Sequence, residues 1–271
     1  MCSFLLKSPP GGISRKGSPQ VNFRPDHILA EQLRTCRDCP ATRGGICEGI
    51  SDEELSALSR LAHHRTIPAG QVIFSERESP AFFANILSGT VKLTKTLADG
   101  RQQIVGILFP PDFLGRAHGK LNTCFAEAAT EVELCAWPAE DFRALMARHP
   151  RLEHRLYEKA LDELDAAREW MVLLGRKTAR EKVASFLLML ARRATGQTCP
   201  RRPAVDEACF TLSLRRADIA DYLGLTIETV SRQITRLRGD GLIVSERGGR
   251  MCVPSLAGLA RAAGQEEAPL P

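Results

Sequence analysis

The segment that most constrains the fold is residues 216–238, which read RADIADYLGLTIETVSRQITRLR. Two helical patterns meet at Gly224, whose backbone freedom permits a sharp exit from the first helix. Thr226 is a favourable N-cap for the second helix. Apolar residues then recur at i, i+3, i+7 and i+10, which predicts one buried stripe formed by Ile227, Val230, Ile234 and Leu237. The segment is therefore predicted to fold as a helix–turn–helix.

The opposite face of the second helix is polar, and it carries a functional prediction. In DNA-binding helix–turn–helix motifs the first turns of the second helix enter the major groove. Arg232 can pair with guanine O6 and N7, and Glu228 can accept a hydrogen bond from cytosine N4. Arg236 and Arg238 are better placed for phosphate contacts, which give affinity without sequence information. The predicted DNA-binding residues are Glu228, Thr229, Ser231, Arg232, Thr235, Arg236 and Arg238.

A predicted wing and the distribution of charge support DNA binding. Leu242–Glu246 and Arg250–Pro254, joined through Gly248-Gly249, have the pattern of two wing strands. Counting Lys and Arg against Asp and Glu, the net charge is +3 over residues 1–50, −4 over 51–175 and +6 over 176–271. A basic C-terminal unit behind an acidic middle unit favours a polyanionic partner. The alternative, a surface helical hairpin with solvated charges, leaves the agreement of turn, cap and wing unexplained.

Upstream of this unit, short strand patterns alternate with tight turns between Arg65 and Trp137. Asp99-Gly100 predicts a hairpin between Val91–Leu97 and Gln102–Leu108, because both turn residues accept positive φ. Regularly spaced strands with a glycine at each corner predict a small β-sandwich or β-barrel.

Helical patterns flank these strands on both sides. A short helix is expected around Asp52–Ala62, with Ser51 as N-cap and Glu54 completing a capping box. From Ala139 to about Gly175 the apolar residues recur mostly at spacings of three and four. One apolar stripe is often an ordinary core helix, but this length and near-heptad spacing favour a parallel dimer seam. The predicted interface residues are Leu152, Leu156, Ala160, Leu164, Ala167, Met171 and Leu174.

Nine cysteines are many for a chain that shows no export signal. The odd count argues against a disulfide framework and for metal ligation or redox chemistry. Cys36-x-x-Cys39, followed after seven residues by Cys47, places three thiolates on a short loop, and thiolates ligate both iron–sulfur clusters and zinc. Both need a fourth ligand, for which the strand Val132–Trp137 offers Cys135 and Cys124 is the rival. The remaining cysteines are expected to be small apolar residues or exposed thiols: Cys2, Cys199, Cys209 and Cys252.

Several classes of protein are not expected from this sequence. The longest apolar stretch, Val183–Ala191, is far too short to cross a bilayer, and no basic n-region with an apolar core opens the chain. A cytoplasmic protein without a membrane partner is therefore expected. No Gly-Lys-Ser/Thr loop, His-Glu-x-x-His motif or nucleophile elbow occurs, so the chain is not expected to be an enzyme. A cluster-carrying enzyme or electron carrier is the rival class.

When the strand region and residues 218–232 are considered together, the chain resembles the Crp/Fnr family of bacterial transcription regulators over nearly its whole length. The resemblance implies an α+β fold with an N-terminal cyclic-nucleotide-binding-type β-barrel, a long dimerisation helix and a C-terminal winged helix–turn–helix. Its Glu-x-x-Ser-Arg motif falls on Glu228, Ser231 and Arg232 and implies recognition of a TTGAT-like half-site. The expected organisation is a disordered leader (1–20), a cysteine-rich cluster-binding segment (21–50), a β-barrel sensor domain (51–138), a dimerisation helix (139–175), a winged helix–turn–helix domain (176–256) and a flexible tail (257–271).

The resemblance also implies a cofactor. Residues 125–138 are similar to the segment that contains the central cluster cysteine of Fnr proteins, and the seven-residue gap after Cys39 resembles the FnrL/FnrN/FixK-like branch. An oxygen-labile [4Fe–4S] cluster held by Cys36, Cys39, Cys47 and Cys135 is implied. The expected function is oxygen-responsive regulation, in which the cluster controls homodimerisation and binding to palindromic promoter sites, with RNA polymerase as a further partner. The alternative is a zinc-stabilised, thiol-redox or nitric-oxide-responsive regulator of the same family.

The family also contains cyclic-nucleotide receptors, in which a Gly-Glu pair and an Arg-Ser/Thr pair hold the phosphate. This chain has Pro111-Asp112 at the first position, and residues 122–126 read NTCFA with no arginine. A buried phosphate without that arginine would be an uncompensated charge. No cyclic nucleotide is therefore expected to bind.

Overall fold

The computed structural model describes Cys36, residues 39–195 and residues 206–265. Within these residues, an N-terminal unit shows eight strands and two α-helices, a long helix follows, and a C-terminal unit shows four α-helices and three strands. The leader expected at residues 1–20 and most of the segment before residue 39 lie outside the described residues. In the described part of the chain, no helix combines the length and apolar character that a bilayer crossing requires.

The strands of the N-terminal unit form two antiparallel four-stranded sheets, with the orders β1-β8-β3-β6 and β2-β7-β4-β5. The strands are β1 (His63–Ile67), β2 (Val72–Phe74), β3 (Phe82–Ser88), β4 (Val91–Thr96), β5 (Gln102–Leu108), β6 (Phe113–Leu114), β7 (Phe125–Ala128) and β8 (Val132–Pro138). The expected β-fold is confirmed, as two sheets rather than one closed barrel. The Asp99-Gly100 hairpin is also confirmed: β4 pairs with β5, and Gly100 has φ +87°.

The sheet that contains β3 and β8 is buried on both faces. Ala84 and Ile86 of β3 face the apolar interior between the sheets. Phe83 of β3 and Cys135 and Trp137 of β8 alternate with those positions and pack on the other face. The second face is covered by helices and by the cysteine loop, so strand residues there can meet residues from far away in the chain.

Helix α1 (Asp52–Leu61) has the expected N-terminus. Ser51 Oγ accepts a hydrogen bond from the Glu54 backbone N–H at 3.2 Å, and Glu54 Oε2 accepts one from the Ser51 N–H at 2.8 Å. The Trp137 indole N–H donates to the Leu58 carbonyl at 3.0 Å. The capping box is confirmed, and this last bond attaches α1 to β8.

The single helix expected over residues 139–175 is wrong. Two helices occupy this stretch, α2 (Ala139–Met146) and α3 (Pro150–Arg176). Pro150 lacks a backbone N–H and its ring clashes with the carbonyl of the preceding turn, so it is tolerated in the first turn of a helix and not in the interior. A new helix therefore begins at this proline.

The burial of α3 corrects two of the predicted dimer residues. Leu152 and Leu156 are buried in the N-terminal unit against residues such as Phe142, so they are not available to a second chain. Leu174 is half-buried against the C-terminal unit. A heptad pattern cannot distinguish packing within a chain from packing between chains. The other four predicted residues are exposed: Ala160, Leu164, Ala167 and Met171.

The C-terminal unit packs its helices against a three-stranded antiparallel sheet of order β10-β11-β9. Its elements are α4 (Ala179–Ala194), β9 (Ala208–Thr211), α5 (Arg216–Leu223), α6 (Ile227–Gly239), β10 (Val244–Ser245), β11 (Arg250–Val253) and α7 (Leu256–Ala262). The prediction of a flexible tail from residue 257 is wrong for the residues described, which extend to residue 265. Leu259, Ala260 and Ala263 are buried in the core of this unit, which fixes α7.

The expectation that Cys209 and Cys252 are small apolar residues or exposed thiols is wrong. They occupy directly paired positions on β9 and β11 and form a disulfide. Directly opposite residues on antiparallel strands bring their Cβ atoms close together. Because the two cysteines are 43 residues apart in sequence, no local motif indicates the pairing.

The N-terminal and C-terminal units meet at a polar contact on α5. Lys92 Nζ of β4 lies 3.1 Å from Asp218 Oδ1 and 2.9 Å from Glu127 Oε1, and Lys92 and Asp218 are buried. Burial opposes ionisation of Asp218, but hydrogen bonds from Arg215 and Lys92 outweigh it and lower the pKa of that carboxyl. Gln103 Nε2 donates to the Tyr222 carbonyl at 3.2 Å. The first helix of the helix–turn–helix is thus held by the N-terminal unit.

Apolar contacts extend the same junction. Ile104 and Ile107 of β5 belong to the apolar core of the C-terminal unit. The rings of Trp170 on α3 and Tyr222 on α5 stack with their centroids 3.9 Å apart. Three parts of the molecule therefore share one buried junction at α5.

Candidate functional sites

Helices α5 and α6 form the predicted helix–turn–helix. Gly224 ends α5 in the left-handed conformation, with φ +61°, which a residue with a side chain rarely adopts. Thr226 caps α6, because its hydroxyl accepts a hydrogen bond from the Thr229 N–H at 3.2 Å. The turn and the cap agree with the sequence prediction.

The buried stripe of α6 differs from the prediction at one position. Val230, Ile234 and Leu237 are buried as expected, but Ile227 is 47% exposed and Gln233 is buried instead. Ile227 is the first residue of α6. Side chains in the first turn lie at the end of the helix, where fewer residues are available to cover them.

The predicted DNA-binding residues lie on one exposed face of α6, called here the recognition face. All are exposed except Thr229, which is half-buried. The Thr229 hydroxyl accepts a hydrogen bond from Arg232 at 3.4 Å, which orients that guanidinium. Nearby carboxylates are engaged elsewhere, since Asp240 pairs with Arg180 and Glu246 pairs with Arg250. The recognition face is, in order, Glu228, Thr229, Ser231, Arg232, Thr235, Arg236 and Arg238.

A short wing follows the recognition helix. β10 and β11 pair antiparallel, and Gly248 and Gly249 between them have φ +76° and +78°. β9 adds a third strand on the other side of β11. The predicted wing is present, with its first strand limited to Val244–Ser245 rather than Leu242–Glu246.

The second candidate site is a small pocket of thiols in the N-terminal unit. Cys36, Cys39 and Cys47 from the loop and Cys135 from β8 all line it, together with Asn85 of β3. We call this set the thiol pocket. Its walls are otherwise largely apolar and come from the cysteine loop, α1 with its C-cap, and β8: Ala41, Leu55, Leu58, Ala62 and Trp137.

Cys124 lies in a different environment. The charged groups that influence the pKa of its thiol are Lys95, Glu76 and Glu163, and not the other cysteines. Cys135, in contrast, is influenced by Cys47, Cys36 and Cys39. The fold therefore brings together the four cysteines that the sequence grouped, and it separates the rival.

Burial dominates the chemistry of the thiol pocket. The pKa of Cys47 is raised to about 12, mainly by burial and also by the neighbouring Cys39 and Cys36, whereas a hydrogen bond from Asn85 lowers it. Burial also raises the pKa of Cys135. At neutral pH these thiols are protonated in the absence of a cation, and ligation requires a positive centre that displaces the protons.

The donor set of the thiol pocket suits either an iron–sulfur cluster or a zinc ion, because thiolates ligate both. Among the described residues, no three His, Cys, Asp or Glu side chains form a ready-made site for a metal ion. A mononuclear zinc site needs its sulfurs within about 2.3 Å of one point. A cubane takes one thiolate at each iron and so accepts four cysteines around the wall of a pocket.

Asn85 was missed by sequence analysis, although a lone amide in the apolar run of β3 was a visible signal.

The position expected to matter for a cyclic nucleotide is engaged in protein contacts. Asp112 Oδ2 accepts hydrogen bonds from Arg193 at 2.9 Å and from the Phe109 N–H at 3.0 Å. Asn122, at the start of the second position, is buried and donates to the Ser75 carbonyl. The absence of a cyclic nucleotide remains a prediction.

Comparison with known protein families agrees with this division into two units. Residues 64–149 match the family model described as a cyclic nucleotide-binding domain, and residues 181–262 match the Crp-like helix–turn–helix domain. A β-sandwich of this kind joined to a winged helix–turn–helix defines a DNA-binding transcription regulator.

Relatives identify the family. A protein of Rhizobium leguminosarum bv. viciae named "Probable transcriptional activator" is 46% identical over 226 residues, which cover 83% of this chain and 92% of that protein. The transcriptional activator protein FnrL of Cereibacter sphaeroides is 40% identical over 240 residues, which cover 89% and 96%. The chain belongs to the Crp/Fnr family of transcription regulators, and its relatives are regulators rather than enzymes. Among solved structures, FixK2 from Bradyrhizobium japonicum matches with a TM-score of 0.66 and 29% identity, covering 74% of this chain and 96% of that one.

Proposed function

We propose that this chain is an oxygen-responsive transcription regulator whose DNA binding is controlled by a [4Fe–4S] cluster at Cys36, Cys39, Cys47 and Cys135. The observation that carries the proposal is the thiol pocket: a loop and a distant strand bring four cysteines to one apolar site, and Cys124 is elsewhere. The seven-residue gap between Cys39 and Cys47 also resembles the FnrL/FnrN/FixK-like branch of the family.

The protein residues have two tasks at this site. Cys36, Cys39 and Cys47 hold the N-terminal loop, and Cys135 holds strand β8. When bound, the cluster supplies an oxygen-labile centre that ties these two parts together. Loss of the cofactor removes this tie between the loop and β8, and the thiols are then protonated.

Two connections lead from the thiol pocket to helix α3. The first runs along the chain: β8 ends at Pro138, α2 begins at the next residue, and α3 follows α2. Arg155 of α3 is hydrogen-bonded to Glu48, the neighbour of Cys47, and also to Glu158 at 3.1 Å. A change in the cysteine loop is therefore felt at α3.

Helix α3 is proposed to form the homodimer through its exposed half. Leu164 and Met171, seven residues apart, are 45% and 72% exposed, and Tyr157 and Leu161 continue the exposed apolar surface towards the N-terminus. The dimer places two recognition faces about one DNA turn, roughly 34 Å, apart on a palindromic TTGAT-like site. Glu228, Ser231 and Arg232 are proposed to read the bases of each half-site, and RNA polymerase is the expected partner at the promoter.

The cofactor is tested by anaerobic purification followed by an absorbance spectrum and an assay of iron and sulfide. The wild-type chain is expected to carry about four irons and four sulfides, the content of one [4Fe–4S] cluster. It is also expected to bind DNA tightly only without oxygen. A colourless protein that contains zinc, or a chain whose DNA affinity is unaffected by air, contradicts the proposal and favours the zinc or thiol-redox alternative.

The fourth ligand is tested by a matched pair of serine variants. Cys135→Ser is expected to abolish cluster incorporation and anaerobic DNA binding, whereas Cys124→Ser retains both. Serine preserves the size of the side chain but is a poor ligand for iron, so the pair tests ligation rather than packing. Full iron content in Cys135→Ser, or its loss in Cys124→Ser, contradicts the assignment.

The dimer surface is tested by Leu164→Glu, which places two carboxylates near each other in an apolar seam. The variant is expected to be monomeric in anaerobic ultracentrifugation while it keeps its cluster. Val105→Glu is the control, because Val105 of β5 is similarly exposed but lies outside α3. An unchanged dimer in Leu164→Glu would place the interface elsewhere.

A further inference from the structure

Asn85 is a buried amide in the middle of an apolar strand. It has 0% exposure and lies on β3 between Ala84 and Ile86, both of which are also fully buried. An amide removed from water destabilises the fold unless it finds a hydrogen-bond partner. A side chain of this kind is retained for the contact that it makes.

The contact is made inside the thiol pocket. Asn85 is directly paired with Cys135 on the neighbouring strand, so the two side chains share one face of the sheet. Asn85 Nδ2 donates a hydrogen bond to Cys47 Sγ at 3.6 Å. One amide thus touches the loop cysteine and flanks the strand cysteine, the two parts that the cluster is proposed to join.

The other end of the amide supports the same role. Asn85 Oδ1 is buried and has no hydrogen-bond partner among the described residues. Asn122 provides the contrast, because it is also buried but donates to the Ser75 backbone carbonyl and supports a loop. Asn85 makes no such bond to the backbone, and its one side-chain hydrogen bond in the described part of the chain is to a sulfur.

The direction of the amide follows from the chemistry of a ligated cysteine. A thiolate only accepts hydrogen bonds, so the N–H end of the amide must face it. Hydrogen bonds to ligand sulfurs stabilise the more negative, reduced form of a cluster and raise its reduction potential. Partners of ligands also orient them, and their loss typically weakens metal binding by about 10–100-fold.

We propose that Asn85 is a positioning residue that orients the Cys47 thiolate and slows the oxidation of the bound cluster. This inference rests on the proposed cluster at the thiol pocket. Removing the donor leaves more negative charge on the Cys47 sulfur, which lowers the reduction potential and makes the bound centre easier to oxidise.

The test compares Asn85→Leu, which removes the donor at similar volume, with Asn85→Ser, which keeps a smaller donor, and with Asn122→Leu as the buried-amide control. Each variant is reconstituted anaerobically, and its midpoint potential and its rate of absorbance bleaching in air-saturated buffer are measured. Asn85→Leu is expected to have a lower potential and to bleach about 10-fold faster. Asn85→Ser is expected to lie between Asn85→Leu and the wild type, and Asn122→Leu is expected to match the wild type in both.

The outcomes separate this inference from the proposed function. A wild-type chain without iron and sulfide overturns both. A wild-type chain with a cluster, together with Asn85→Leu of unchanged potential and bleaching rate, overturns only the role of Asn85. If Asn85→Leu does not fold, Asn85→Ser decides: a potential and bleaching rate equal to the wild type overturn the role, and intermediate changes support it.

Discussion

The thiol pocket gathers its side chains from separate stretches of the chain, whereas the recognition face takes all of its side chains from helix α6. The pocket needs the cysteine loop, Asn85 of β3 and Cys135 of β8 to meet on one face of a sheet. The recognition face needs only a turn, a cap and a helix whose inner stripe is buried. A surface that binds a polyanion can thus be encoded locally, but a pocket that binds a cofactor depends on long-range pairing.

The two regions also differ in how they exist without a ligand. Burial raises the pKa of Cys47 and Cys135, so these thiols of the thiol pocket are protonated unless a positive centre is bound. The recognition face is complete in water, where hydrogen bonds from its own backbone N–H and from Thr226 lower the pKa of Glu228. The N-terminal and C-terminal units are physically connected by the buried ion pair between Lys92 and Asp218.

The largest expected effect comes from breaking that connection with Lys92→Met. The side chains of Lys92 and Asp218 are only 10% and 7% exposed. Removal of the lysine leaves Glu127 without this cation and leaves Asp218 only its pair with Arg215, whose side chain is 75% exposed. Losing one partner of a buried pair typically costs about 3–5 kcal/mol. We expect a loss of that order in the free energy of unfolding, measured by urea denaturation of the metal-free protein.

Lys95→Met is the matched control for this measurement. Lys95 is on the same strand and pairs with Glu76, but its side chain is 42% exposed. An exposed pair contributes about 0–1 kcal/mol. Equal losses in the two variants would show that the N-terminal and C-terminal units are not held together by Lys92.

A smaller effect is expected within the recognition face. Arg232→Ala should cost about 1–3 kcal/mol at the guanine of each half-site and relax base preference there. Arg238→Ala should weaken binding to all sequences equally and reduce the salt dependence, because it lies at the far end of α6. Binding titrations with single-base variants of the site at several salt concentrations distinguish the two. If both variants weakened binding equally at all sequences, the assignment of Arg232 as a base-contacting residue would be wrong.

The smallest expected effect comes from removing a helix N-cap in each of the two regions. Thr226→Ala and Ser51→Ala each remove an N-cap and should each cost about 1 kcal/mol of stability. Thr226→Ala should in addition weaken DNA binding, because the first turn of α6 carries Glu228 and Thr229. Ser51→Ala should leave the DNA affinity unchanged. Loss of DNA affinity in Ser51→Ala alone would contradict the local encoding of the recognition face.

The sequence predicted those features that depend on neighbours in the chain. Gly224, Thr226, the capping box at Ser51 and the Asp99-Gly100 hairpin follow from backbone preferences and short-range hydrogen bonds. Pro150 carried a signal for a helix start that the apolar periodicity concealed. Periodicity reports only that a face is apolar and not what covers it.

The remaining features depend on distant segments. Leu152 and Leu156 have the spacing of a dimer seam but pack within their own chain. The Cys209–Cys252 pairing and the meeting of Asn85 with Cys47 arise from strand register and loop placement. These pairs are 43 and 38 residues apart in sequence, and no rule of residue spacing predicts contacts at such separations.

The junction at α5 determines how far the DNA-binding half can be treated as a separate module. Ile104 and Ile107 of β5 fill part of its core, so a fragment beginning at Thr178 would have two apolar sockets open to water. The same applies to a chimera in which this half is fused to a foreign sensor domain. For either to stay folded and soluble, the transplanted piece must include the β4–β5 hairpin, or the exposed sockets must be redesigned with polar side chains.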